Sequence, residues 1–370
     1  TAKLSAYGTL KSSLEAFQTA NTALSKADLF TATTTASSTT AFSATTTGNA
    51  IAGKYTINVT QLAQAQTLTT KATQADNKTA IATSDSVLTI QQGGGKEPVT
   101  INISAANSSL TGMRDAINNA KAGVSASIIN VGGAYRLSIT SNDSGLDNAM
   151  TLSVSGDSAL QNFMGYNGTK GDTSNGMTES VTAQNAELTV NNVAIVNSSN
   201  TISDALEDIT LNLNDVTSGN QTLTITQDTT KAQAAVKAWV TAYNALQDTF
   251  SSLTKYTAVD VGSDSQDTSN GALIGDTTLR TIQTQLKSAL SNTLSSSAYK
   301  TLAQIGVTSD PSTGQLNVDD DKLSAALKKD SSGVGALIVG DGKKTGITTT
   351  IGNNLTSWLS STEIGRASCR

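Results

Sequence analysis

In the stretch Tyr7-Gly8-Thr9-Leu10-Lys11-Ser12-Ser13-Leu14-Glu15-Ala16-Phe17-Gln18-Thr19-Ala20-Asn21-Thr22-Ala23-Leu24, one row of residues recurs at a 3-4-3-4-3 spacing. The row is Tyr7, Leu10, Leu14, Phe17, Asn21 and Leu24. That spacing keeps one face of a helix against a partner over nearly three heptads. The same spacing returns far along the chain in Val236, Trp239, Tyr243, Leu246, Phe250 and Leu253, after Asp228 and Thr229 as candidate caps. A third helix begins near Asp276, with Leu279, Ile282, Leu286, Ala289 and Thr293 in its row. Asp319 or Asp320 caps a short helix carrying Leu323, Ala326 and Leu327. Trp239 and Trp358 both fall in helical patterns, where they read as core residues.

Outward from these seams the period changes to two. Lys54–Val59 alternates, with Leu62 and Leu68 beyond it. Val87–Ile90 and Val99–Ile103 flank Gly93-Gly94-Gly95 as a hairpin, and Val124–Val131 and Tyr135–Thr140 flank Gly132-Gly133. Leu110–Lys121 is a short amphipathic helix between them. Thr151–Val154, Leu188–Val190, Val193–Val196, Ile209–Leu213 and Thr222–Thr226 read as further strands, and Gly165–Met177 as a glycine-rich loop. Ile305-Gly306-Val307 and Gln315–Val318 bracket Asp310-Pro311-Ser312-Thr313-Gly314, a turn by residue chemistry. Thr31–Asn49 is either a flexible linker or an extended, partly paired segment.

The fold class expected is α+β and multidomain. A discontinuous helical domain (an antiparallel bundle with a small β-hairpin) is built from residues 1–35 and 230–362. Two β-rich domains are inserted in it: one from 36–70 and 180–229, the other from 71–179. Residues 363–370, which include the one cysteine, Cys369, read as an appended tail outside the fold.

Composition narrows the chemistry. The 370 residues include no His, one Cys and two Pro. Without His there is no Ser–His–Asp triad and no imidazole base. One Cys makes no internal disulfide and no zinc knuckle. Charged residues make up 14% with net charge −5, which argues against nucleic acid as a partner. No apolar run is long enough to span a membrane. The 58 Thr and 45 Ser give a surface that hydrogen-bonds more than it ionises. That excess is expected on the strands and outer faces of the inserted domains, not in the helical core.

Candidate sites are few. Gly342-Lys343-Lys344-Thr345 has a Gly-Lys pair, but Leu337 stands where a phosphate loop needs Gly, and Lys344 where it needs Ser or Thr. It reads as a surface turn after a short apolar strand, Ala336–Val339. Asp310–Gly314 followed by Asp319-Asp320-Asp321 is out of register for a calcium loop; turn and cap roles suit these acids better. No catalytic, cofactor-binding or metal-binding residue is assigned, and the chain reads as a non-enzyme without cofactors.

Four patterns, in order, carry a resemblance. They are Gly53-Lys54-Tyr55-Thr56-Ile57-Asn58-Val59-Thr60-Gln61-Leu62-Ala63-Gln64-Ala65-Gln66; the helix and hairpin of Leu110–Asn142; Ser199–Leu206 with Thr222–Asp228 and Ala242-Tyr243-Asn244; and Ile305–Val307 through Gly314-Gln315-Leu316 to Asp319–Leu323. Together they resemble the bacterial flagellar filament cap family, and an enterobacterial member most. The resemblance implies a structural homo-oligomer at the extracellular tip of the flagellum, secreted by the flagellar type III system for motility. It would form a ring, pentamer or hexamer, over exported flagellin, promoting flagellin folding and insertion and preventing its loss. Implied partners are further copies of itself, flagellin, the hook–filament junction protein and an export chaperone acting through a C-terminal segment beyond this chain; no nucleic acid and no membrane. Members carry coiled-coil segments beyond both ends of this chain, and the Tyr7–Leu24 seam is where one would attach. The alternative is another secreted flagellar subunit of flagellin or hook–filament junction type; a surface adhesin or carbohydrate-acting enzyme is a more distant one.

Overall fold

Residues spaced for one helical face do form helices, and the structure, a computed structural model, describes residues 2–291, 296–360 and 364. In chain order it runs α1 (Ala2–Leu24), β1 (Thr33–Ser37), β2 (Phe42–Thr46), β3 (Gly53–Gln61), β4 (Thr67–Thr70), β5 (Ser86–Gln92), β6 (Val99–Ile103), α2 (Leu110–Ala120), β7 (Val124–Val131), β8 (Ala134–Ser141), β9 (Met150–Ser155) and α3 (Ser158–Met164). Then come β10 (Met177–Val181), β11 (Ala186–Val190), β12 (Val193–Asn197), β13 (Thr201–Leu206), β14 (Ile209–Leu213) and β15 (Gln221–Gln227). The chain closes with α4 (Thr230–Leu253), α5 (Thr277–Leu290), β16 (Val307–Ser309), β17 (Leu316–Val318), α6 (Asp320–Ile338) and α7 (Ile347–Ser360). The chain divides into two compact units: Thr1–Thr34, Thr47–Ile51 and Thr226–Arg370 form one, and Thr35–Thr46 with Ala52–Ile225 the other.

In the first unit the α1 seam is buried as spaced. Leu10 and Leu14 have no exposure, and Tyr7, Phe17, Asn21 and Leu24 are buried with them. They pack on α4, where Phe17, Trp239 and Tyr243 form an aromatic cluster with ring centroids 5.7–6.0 Å apart. Asn21 is the one side-chain amide in the seam. Its Oδ1 accepts from Trp239 Nε1 at 3.0 Å, and its Nδ2 donates to the Thr348 carbonyl at 2.9 Å. Asp276 and Asp319 cap α5 and α6 by accepting from the Leu279 and Lys322 amides. At the start of α4 the cap is different: Thr229 makes no side-chain cap bond, while Asp228 accepts from the Thr230 amide. Thr293 lies outside the described residues.

Three readings change. Ala336–Val339 is no strand: α6 continues to Ile338, across a break in helical geometry at Asp330. Gly335 lets it pass, because a Cβ there would come within 2.9 Å of the Phe30 side chain. Ile364, placed in the appended tail, is buried in the helical core, whereas Glu363 and 365–370 lie outside the described residues. The hydroxyls do not collect in the β unit; Ser and Thr divide about evenly between the two units. On the helices they turn inward: Thr9, Thr19, Thr241, Thr249, Thr281, Thr284 and Thr356 donate to the carbonyl four residues back.

The second unit holds four sheets, in the orders β1-β15-β3-β11-β12, β13-β14-β2, β10-β4-β8-β7 and β6-β5-β9. The Thr31–Asn49 stretch supplies the paired strands β1 and β2, so it is the extended alternative that forms. Three two-residue turns join hairpins among the described residues: Gly132-Gly133 (β7 to β8) and Asn191-Asn192 (β11 to β12) are left-handed at both positions, while in Glu207-Asp208 (β13 to β14) only Asp208 is. The run Gln61–Gln66 is clamped by side-chain amides. Asn200 both donates to the Ala63 carbonyl and accepts from its amide, at 3.0 and 2.7 Å. Gln66, 3% exposed, accepts from the Met150 amide at 2.7 Å. Leu68, Leu88, Met113, Ile117, Leu137, Ile139 and Leu160 form a continuous apolar core.

Asp157 caps α3 from its Oδ1 and ties the 83–84 loop to it through Oδ2, accepting from the Leu160, Thr83 and Ser84 amides at 2.8–2.9 Å. The Leu160 amide first, then the loop amides, hold its carboxyl well below the usual range against the opposing effect of burial. A lowered folded pKa gives stability that is complete above the ordinary carboxylate value and is lost as pH falls through the lowered one. We therefore expect Asp157→Ala to lower the denaturation midpoint at pH 7, and the gap from wild type to narrow as pH falls below the ordinary carboxylate range. A gap that stays constant on acidification contradicts this assignment.

Candidate functional site

Side chains that could do chemistry are already engaged in structure. In the Gly342-Lys343-Lys344-Thr345 turn, the amides of Lys343, Lys344 and Thr345 all donate to Asp341 Oδ1 at 2.8–2.9 Å. The donors that would cradle a phosphate are thus filled by the chain's own carboxylate. The Thr345, Lys343 and Lys344 amides hold that carboxylate well below its usual range. Gly340 and Gly346 close the turn, each where a Cβ would meet the other's backbone within 2.5 Å.

The acids near the β16–β17 hairpin are likewise separated by duty. Asp310 accepts from Ser312 and Thr313 within its turn. Asp319 caps α6, and Asp320 pairs with Lys237 at 3.2 Å. Among the described residues no group of three or more His, Cys, Asp or Glu is placed to hold a metal ion.

Three tyrosines, Tyr7, Tyr166 and Tyr243, have displaced ionisation, and the first two are paired with carboxylates. Burial pushes Tyr7 up to about 12, with the Asp276 carboxylate adding to it through a hydrogen bond and its charge. Burial works against the Asp276 charge, yet the Tyr7 hydroxyl, the Leu279 amide and Lys3 keep its carboxyl below the usual range. Tyr166 rises to about 12 by burial and by its hydrogen bond to Glu179 at 2.9 Å. Both pairs join elements: Tyr7 fixes α1 to the cap of α5, and Tyr166 fixes the chain after α3 to β10. Neither opens on a cleft with a second reactive group.

The surface is more informative than the interior. Strand β12 is an edge strand, and Val193 and Val196 stand 64% and 63% exposed on it. It carries no Lys, Pro or bulge, the usual protections of an edge. The β7–β8 hairpin exposes Ile129 and Val131 beside its turn. In the helical unit, the long connection between α4 and α5 exposes Tyr256, Val259 and Val261. Connections of this length are usually functional. Sequence periodicity gave no sign of them: in β12 the strand was visible but not its edge position, and the α4–α5 connection has no repeating pattern. The available signal was Tyr256, Val259 and Val261 standing among turn-forming residues.

Comparison with known proteins bears on what these surfaces meet. Residues 183–368 match the family described as flagellar hook-associated protein 2 C-terminus, residues 1–66 its N-terminus, and residues 87–143 the flagellin hook IN motif. The chain is 80% identical over 368 residues to flagellar hook-associated protein 2 of Escherichia coli strain K12, covering 99% of this chain and 78% of that protein. It is 48% identical to the Salmonella typhimurium protein of the same name, covering 97% and 76%. The crystal structure of the D1-D2-D3 domains of the flagellar cap protein FliD from Escherichia coli superposes with a TM-score of 0.89 at 77% identity, covering 99% of each chain.

Proposed function

The chain belongs to the flagellar hook-associated protein 2 family, and from that membership we propose how it works. It is a structural cap at the distal, extracellular end of the flagellar filament. Its role is to promote folding and insertion of exported flagellin and to prevent flagellin loss. The observation that carries this is likeness in sequence and fold to a flagellar cap protein over nearly the whole chain. Among the described residues no helix is long and apolar enough to cross a membrane, in keeping with work outside the cell.

The cap acts by contact, not by catalysis. It touches flagellin and further copies of itself, which form a ring (pentamer or hexamer). The junction protein and an export chaperone complete its partners. A surface that meets successive flagellins must release as readily as it binds. Weak charge and hydroxyls that bond back to their own helix supply that property, because few side chains are left to lock onto a partner. The flagellin-type match at residues 87–143 favours the alternative of another flagellar subunit, but it covers one module against a likeness spanning the chain.

Within the β unit we read two head domains. The expected limits were 70/71 and 179/180. The pairing of β4 between β10 and β8 in one sheet supports drawing them at 66 and 182 instead. Residues 66–182 should therefore fold alone with a cooperative transition, whereas 71–179, which lacks β4, should not. Equal cooperativity of the two fragments contradicts this division.

A strain lacking the gene for the full-length protein should secrete monomeric flagellin and grow no filaments, with filaments restored by complementation. Filaments of normal length in the deleted strain would refute the cap.

A further inference from the structure

The helical unit carries both a finger and a groove. The finger is the connection after α4. Its stem is tied by Leu273 N to Leu253 O at 2.9 Å, Gly271 N to Lys255 O at 2.7 Å and Thr257 N to Asn270 Oδ1 at 2.6 Å. Beyond the stem, Val259 is 41% exposed and Val261 fully exposed, with Tyr256 at the base 65% exposed. Asp260 sits between the two valines, and its carboxylate has no hydrogen-bond or ion-pair partner among the described residues.

The groove has a volume of about 730 Å³ and lies where α4, α5 and the β16–β17 hairpin converge. Tyr243, Val307 and Leu316 give it an apolar floor, with Leu290 beside them. Lys287 and Lys300 line it as well. Asp310, also in the wall, is already engaged by Ser312 and Thr313. Tyr243, 4% exposed, lines the groove. Burial pushes that phenol up to about 12, so it stays a donor.

We propose that the Val259-Asp260-Val261 finger of one copy docks in this groove on a second copy of the chain. The match is of shape and charge. Two valines cover the apolar floor, and the Asp260 carboxylate between them meets Lys287 and Lys300 and accepts from the Tyr243 hydroxyl. The finger's own groove is remote along the helices. At a rise of 1.5 Å per residue, Tyr243 lies about 15 Å along α4 from Leu253, and Lys287 about 15 Å along α5 from Thr277. A finger and a groove at different places on one unit make a heterologous contact, which closes into a ring when the rotation per copy allows. The inference rests on the reading that the cap self-associates and names the surfaces that do it.

The test uses the full chain with its single cysteine removed, Cys369→Ser. Chains carrying Val261→Cys are mixed with chains carrying Ala303→Cys, a residue that lines the groove. Mild oxidation at concentrations where light scattering detects oligomers should give a 261–303 linked dimer, identified by mass spectrometry. Asp260→Lys and Lys287→Asp should each raise the association midpoint about tenfold, and the two together should restore it. Oligomers without the 261–303 link overturn the docking while leaving self-association standing. A lack of oligomers at any concentration overturns both. A link formed inside single chains that carry both cysteines, in place of a link between copies, shows the finger folding back and also overturns the docking.

Discussion

Asn21 places one amide in a mostly apolar seam, and together with the Tyr7 hydroxyl on Asp276 it fixes the register of the helical unit. The oxygen accepts from Trp239 on α4, and the nitrogen donates to Thr348 on α7. Apolar packing alone would tolerate α1 sliding by a turn, since leucines at heptad spacing present a similar face after each slide. A slid α1 would leave a buried amide, an indole N–H and a carbonyl unpaired, and each such loss costs about 1–3 kcal/mol. A polar group at a seam position setting register is a known device of helical assemblies. Here it joins a helix from the start of the chain to two from its later part. The β-rich unit can therefore sit in the middle of the sequence without dissolving the bundle.

The β unit solves a related problem with the same chemistry. Its polar interior is built from amides with partners: Gln66 accepts from the Met150 amide, and Gln92 donates to the Asn148 carbonyl. Buried amides of this kind add specificity where hydroxyl-rich strands offer little apolar contrast between faces. Only 14% of the residues are charged, which fits a protein that works through contact.

Much of the fold was legible because its signals are local. The rows in α1, α4 and α5 are periodic, and the glycine turns declare themselves. What escaped was short or relational. Helix α3 has only seven residues, and its clearest sign was the cap Asp157. Strands β10 and β13, Met177–Val181 and Thr201–Leu206, lack alternation strong enough to stand out. A four-residue apolar run at Ala336–Val339 fits a strand or a helix end equally; Phe30, packed against Gly335 from far away in sequence, accompanies the helix. The Asn21 position was visible in the seam, but its two partners were not. Nor were the surfaces: exposure of Val196 or Val261 depends on what the rest of the chain fails to cover.

The account stands on Asn21 coupling α1 to α4 and α7. Hydrogen exchange on wild type and Asn21→Leu tests it most directly. The account predicts faster exchange in α1 and α7 together in the variant, with β5 and β9 in the other unit unchanged. Exchange in α1 and α7 equal to wild type would show that Asn21 does not set the register, and would contradict it.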